Sequence, residues 1–175
     1  MCIFNTIRIE KSDRMTYNKR ITKINKDFIY RMKKILIIDG QGGRIGRTVI
    51  EKLGNRGVTA EIFAVGTNSA ASANMLSAAK TQSLPVKIAT GENPVVVLSK
   101  KADIICGPIG IIIADSMLGE ITPAAACAVS SANAVRVLIP MNMTGCDNII
   151  AGVGKIPLSE IIDSAVDEIV RLTHE

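Results

Sequence analysis

Residues 35–53, "ILIIDGQGGRIGRTVIEKL", run an unbroken aliphatic stretch into a cluster of glycines and from there directly into a helical pattern. A short apolar run closed by glycine reads as a buried strand, while Ile45, Val49, Ile50 and Leu53 share one face of a helix. That junction restricts the fold strongly, because the chain must turn sharply at a strand's carboxyl end and send a helix back over the sheet. Glycines permit the turn. They also let an anionic group approach the orphan amides at a helix N-terminus, where the helix dipole favours negative charge.

The alternation continues along the chain. Ala60–Val65, Leu84–Ala89, Ala102–Cys106 and Val135–Ile139 read as further strands, with Asn148–Val153 as a candidate last one. Helices are expected from Asn68 and Ser69 through Ala79, within "GENPVVVLSKKA", after Ile113, from the Thr122-Pro123 cap pair, and over Leu158–Leu172. Parallel neighbours need crossover connections, so the expectation is a single α/β domain: doubly wound, Rossmann-like, with a mostly parallel sheet and helices on both faces. Aromatic residues make up only 3% of the chain, so its core must be built from Ile, Val, Leu, Met and Ala.

Net charge looks at first like a nucleic-acid signal. Of the formal +5, all lies in residues 1–31, which carry eight Lys/Arg and three Asp/Glu; residues 32–175 are balanced. The folded body therefore has no electrostatic footprint for a phosphate backbone, and no nucleic-acid partner is expected. Residues 1–31 read as a basic, disordered extension or an over-extended start, with Met32 opening the domain that runs to residue 175. The longest apolar stretch, "IICGPIGIIIA", is broken by Gly107, Pro108 and Gly110 and falls short of the roughly 20 residues that cross a bilayer. No membrane partner is expected. Four scattered cysteines without C-x-x-C spacing, and a single histidine at position 174, predict no metal site and fit a reducing cytoplasm. Cys106 and Cys127 read as core fillers, Cys146 as an unreactive loop thiol with no base nearby.

The turn itself, Gly40, Gln41, Gly42, Gly43, Arg44, Ile45 and Gly46, departs from G-x-G-x-x-G. It satisfies G-x-x-G-x-x-G and G-x-G-x-x-x-G, both of which resemble dinucleotide-binding turns. A phosphate-loop NTPase fits poorly, since Arg47 stands for its lysine, Gln41 for its first glycine, and no acid ends a later strand to hold Mg²⁺. The ligand expected at the turn is a small-molecule nucleotide. A dinucleotide site for NAD also requires an acid near the tip of the second strand, and "VGTNSAAS" has none. Thr67, Asn68 and Ser69 could bond a phosphate there, which favours NADP; Asn68 and Ser69 could equally do no more than cap a helix.

Ligands of open parallel sheets lie beyond the carboxyl ends of the strands, which selects two further loops. Gly107, Pro108, Ile109 and Gly110 form a rigid turn after the fourth strand, against which a flat ring could lie. "PMNMTGCDN" brings Asn142 to the same edge. Asp115 and Glu120 read as caps or ion-pair partners, separated by a helix break at Gly119. The Tyr-x-x-x-Lys pair of short-chain reductases is absent, as both tyrosines lie in the extension.

Taken together, "KKILIIDGQGGRIG", "AVGTNS", "GPIGIIIADSMLGEITPA" and "LIPMN" resemble a bacterial domain-of-unknown-function family found mainly in anaerobic Firmicutes. The resemblance covers the body from Met32 and implies a small cytosolic Rossmann-like protein; it brings no catalytic residues. Three functions remain open: a nucleotide-binding protein, an NADP-dependent reductase or reductase subunit, and a non-catalytic interaction or regulatory protein. A body of this size leaves little room for a catalytic lobe beside a cofactor, so an active site would need a second copy of the chain or a partner, and a homodimer is one expectation.

Overall fold

The computed structural model describes residues 32–141, 150 and 156–175. The basic extension, Asn142 and all but residue 150 of the candidate strand over 148–153 lie outside the described residues, as does Cys146. Five strands are present among the described residues: β1 (Lys34–Asp39), β2 (Glu61–Gly66), β3 (Val86–Thr90), β4 (Ile104–Pro108) and β5 (Val135–Ile139). All pair in parallel, in the order β3-β2-β1-β4-β5. Between them lie helices α1 (Arg44–Asn55), α2 (Ser69–Thr81), α3 (Glu92–Ser99) and α4 (Pro123–Ser130), and α5 (Leu158–Thr173) closes the chain.

Successive side chains of a strand point to opposite faces, and the two layers of core follow from that period. Ile35 and Ile37 of β1, Ile62 and Ala64 of β2, and Ile104 and Cys106 of β4 face α1, α2 and α5. Leu36, Ile38, Val65 and Ile105 face α3 and α4. A strand apolar at four successive positions, as β1 is over Ile35–Ile38, belongs where both faces are covered. The expected doubly wound, Rossmann-like α/β domain is therefore what this chain forms.

Helix ends follow local chemistry. Thr122 caps α4 by accepting the Ala125 amide at 3.1 Å, with Pro123 at the first helical position. Asn68 caps α2 by accepting the Ala71 amide at 2.9 Å. Helix α1 differs, because its N-cap is Gly43 in the left-handed region, φ 64°, which offers no side chain. Helix α5 is fixed across α1 by an apolar stripe of Ile162, Val166 and Ile169. Lys52 and Arg56 meet Asp163 at 2.7 and 3.2 Å along the rim of that contact.

Two expectations are corrected. The segment after Ile113 is not a helix: a 3-10 turn over Ile109–Ile112 leads into a run of turns from Ala114 to Glu120. Its aliphatic run carries no cap before it, and Asp115, Met117 and Leu118 all take positive φ near 60°. Cys127 is not a core filler but exposed, because the period of α4 turns Ala125, Ala126 and Val129 inward instead.

Candidate functional site

In this strand order the chain proceeds from β1 to one side and from β4 to the other, so the switch point lies between them. Beyond their carboxyl ends is the crevice in which open α/β sheets bind ligands. The glycine turn leaves β1 into that crevice. Gly43 closes the turn by donating to the Gly40 carbonyl at 2.8 Å, and Gln41 takes φ 50°.

The amides of this turn do not stand free. Asp39, the last residue of β1 and only 4% exposed, receives the Gly40 amide at 2.8 Å on one carboxylate oxygen and the Gly46 amide at 2.8 Å on the other. It thus does for α1 what an N-cap side chain would do, and places negative charge at the positive end of the helix dipole. Burial lifts the Asp39 carboxyl above its ordinary value, against the opposing pull of the Gly46, Gly40 and Ile45 amides; the charge of Glu120 adds to the rise. The expectation of a bare helix N-terminus open to a phosphate is therefore corrected at Gly40 and Gly46.

A second carboxylate lies over the turn. One oxygen of Glu120, Oε2, receives the Gln41 amide at 2.8 Å, the Asn68 side-chain amide at 2.9 Å and the Thr67 hydroxyl. The same Asn68 amide also donates to the Gln41 carbonyl at 3.0 Å, tying the tip of β2 to the turn. Burial alone would raise the Glu120 carboxyl, but the donors from Thr67, Gln41 and Asn68 outweigh it and hold the group below the usual carboxylate range. Three donors converging on one oxygen from two different loops define an anion position.

The segment carrying Glu120 explains how an acid from beyond β4 reaches the tip of β2. Asp115 donates its amide to Ile121 at 2.7 Å, closing the loop, and buried Ile111 and Ile121 anchor both ends. Between them Asp115, Met117 and Leu118 hold left-handed φ of 61°, 56° and 60°, and Gly119 follows at 85°. A left-handed conformation costs a non-glycine residue about 1–2 kcal/mol. Met117 packs over the turn, where a Cβ on Gly40 would stand 2.8 Å from both its sulfur and Glu120 Oε2. Gly40 is therefore glycine because the Glu120 loop lies on it.

The other expected site residues divide between ligand edge and packing. Gly42 and Arg44 are exposed at the mouth, and Asn74 donates to the Gly42 carbonyl at 2.6 Å. Ile45 and Gly46 are buried; a Cβ on Gly46 would come 2.6 Å from the Met75 sulfur, so its role is close helix contact. Ser69 is the first residue of α2. Gly107 and Pro108 are not a turn after β4 but its last two residues, paired with Leu138 and Ile139. Both are buried, and a Cβ on Gly107 would be driven into the Ile38 carbonyl oxygen, so no ring can lie there. Ile109 and Gly110 open the 3-10 turn, and Gly110 adjoins Met117 and Ser116. Cys106, pushed up to about 12 by burial and by the neighbouring Asp39 charge, is no nucleophile.

Two residues central to the site carry no such role in the sequence reading. Asp39 had one local signal: an acid as the last residue of an otherwise apolar strand, directly before a glycine turn. Glu120 had none, since 79 positions separate it from Gln41. Its presence also removes the ground for preferring NADP, because an acid does stand at the tip of β2 and arrives from another loop.

A glycine turn, an N-cap asparagine and the loop beyond β4 meet at the switch point of a parallel sheet in this order, the arrangement of a Rossmann-like α/β domain. The chain belongs to the family described as "Domain of unknown function (DUF3842)", whose model matches residues 34–174. No curated protein and no solved structure matches it. Among the described residues, no helix is long and apolar enough to cross a membrane.

Proposed function

We propose that the domain binds a nucleotide or another small phosphorylated molecule in the crevice between β1 and β4, with one anionic oxygen where Glu120 Oε2 now sits. The observation that carries this reading is the convergence of the Gln41 amide, Thr67 hydroxyl and Asn68 side-chain amide on that single position. Donors fixed on rigid strand and helix ends favour whichever anion reaches them, and a phosphate oxygen offers the same acceptor chemistry as a carboxylate. Asp39 keeps the α1 N-terminus for itself, so the phosphate is placed on the β2 side of the turn, away from the helix axis. Exposed Arg44 at the mouth adds positive charge to the approach.

A second reading has its own observation. Of the two Glu120 oxygens, Oε2 alone accepts hydrogen bonds from the described residues, which leaves Oε1 for a ribose hydroxyl, and such a ligand would be an unphosphorylated NAD-type ribose. An NADP-dependent reductase, completed by a second copy of the chain, extends the first reading and is tested by oxidation of NADPH with carbonyl compounds.

A thermal-shift series with NADP, NAD, FAD, ATP and AMP, each beside its phosphate-free nucleoside, separates these readings. The first reading predicts a rise in Tm of a few degrees with these nucleotides, all of which carry phosphate, and none with the nucleosides, in line with mass action on the folded state; the second predicts a rise with NAD and none with NADP. No rise with any member would overturn the proposal.

A further inference from the structure

We infer that Glu120 is a built-in competitor for the crevice: its carboxylate occupies the anion position in the free protein and must leave before a ligand's anionic oxygen can enter. This rests on the anion-site reading above and adds how that site is controlled.

Five observations converge on it. Glu120 fills the place where the three donors meet and so stands in for a ligand oxygen. Its loop lies directly on Gly40, with the Met117 sulfur packed over the turn, so loop and ligand cannot share the space. Asp115, Met117 and Leu118, the residues that place it, hold a conformation their side chains disfavour. Leu118 at the tip is 96% exposed, so few packing contacts oppose the strain there. Outside the loop the attachments are firm, with Ile111 and Ile121 fully buried. The loop is thus anchored at two buried isoleucines and strained between them; its base is closed by Asp115 on Ile121 and by the Ser116 hydroxyl on the Gly110 carbonyl at 2.6 Å, and the hydrogen bonds of the Glu120 carboxylate hold it onto the glycine turn. An anion that takes those donors releases the strain; until then, apparent affinity is reduced by the fraction of molecules in which Glu120 is in place.

Two substitutions move that fraction in opposite directions. Glu120→Ala removes the competitor. Leu118→Gly relieves left-handed strain at a residue with little packing to lose, and so favours the closed loop. Calorimetric titration of the full chain with inorganic pyrophosphate is the test, after circular dichroism has confirmed that each variant folds. The inference predicts binding about 10-fold tighter for E120A and about 3-fold weaker for L118G than for the unaltered chain. If E120A does not fold, E120Q, which loses the charge and keeps one acceptor, is expected to tighten binding in the same direction. Equal affinity in all proteins would overturn the competitor and leave the anion site standing. Weaker binding by E120A would overturn it in favour of Glu120 as a direct ligand contact. Absence of binding by every protein would overturn both the competitor and the anion site.

Discussion

Asp39→Ala is expected to lower the unfolding free energy by about 3 kcal/mol, read as a reduced urea midpoint at unchanged slope. The residue is almost wholly buried, and each of its oxygens takes one backbone amide, from Gly40 and from Gly46. Truncation strands both donors inside the protein, at about 1–3 kcal/mol for each buried group left unpaired. Gly43, the N-cap of α1, has no side chain to take over. Asp39→Asn should recover only part of the loss, because its one carbonyl oxygen serves one amide while its NH₂ faces the other donor.

The pH dependence has a definite sign. Burial raises the folded carboxyl above its unfolded value near 3.8, so the folded chain holds that proton more tightly than the unfolded one. The stability contributed by Asp39 is therefore greatest below the unfolded pKa and falls as pH rises through the folded one. The difference between the unaltered chain and D39A should shrink over that interval and then level off.

Gly43→Ala is expected to cost at least about 3 kcal/mol or to prevent folding, measured by the same denaturation curve. Its φ of 64° penalises any side chain, and a Cβ there would stand 2.6 Å from the Ala71 Cα and 2.7 Å from its carbonyl oxygen. Both obstacles are backbone atoms of α2 and cannot rotate away. Gly42→Ala, one residue earlier, is the control: the nearest atom to its Cβ is Arg44 Cγ at 3.9 Å, and stability should change by no more than about 0.5 kcal/mol. The turn therefore contains glycines of different kinds. Gly43 and Gly46 let α1 and α2 approach, Gly40 accepts the Glu120 loop, and Gly42 faces the open mouth.

Those distinctions explain what could and could not be seen in the sequence. Period and capping chemistry are local, so β1, α1, the Asn68 cap and the Thr122-Pro123 start of α4 were legible, and with them the doubly wound order. Glycine spacing was legible too, but its reasons were not: "GPIG" suggests a turn, whereas Gly107 is a strand residue thinned to clear the Ile38 carbonyl oxygen. Between Ile113 and Glu120 the residue types gave no sign of three left-handed non-glycine residues, because closure of Asp115 on Ile121 and burial of Ile121 impose that path from outside the segment. The rule that looks for an acid some 20 residues after the turn follows only the strand it starts from. It does not see Glu120 arriving from beyond β4.

The central claim is that donors from two loops form an anion position at the switch point, occupied in the free chain by Glu120. Amide-resolved NMR of the full chain titrated with NADP, and separately with ADP, tests it most directly. The account predicts saturable shifts at Gln41, Thr67, Asn68 and Glu120, with the resonances of Asp115–Gly119 moving in step as the loop leaves Gly40. Saturable binding whose shifts fall elsewhere and spare those residues, or no shift at millimolar nucleotide, would contradict it.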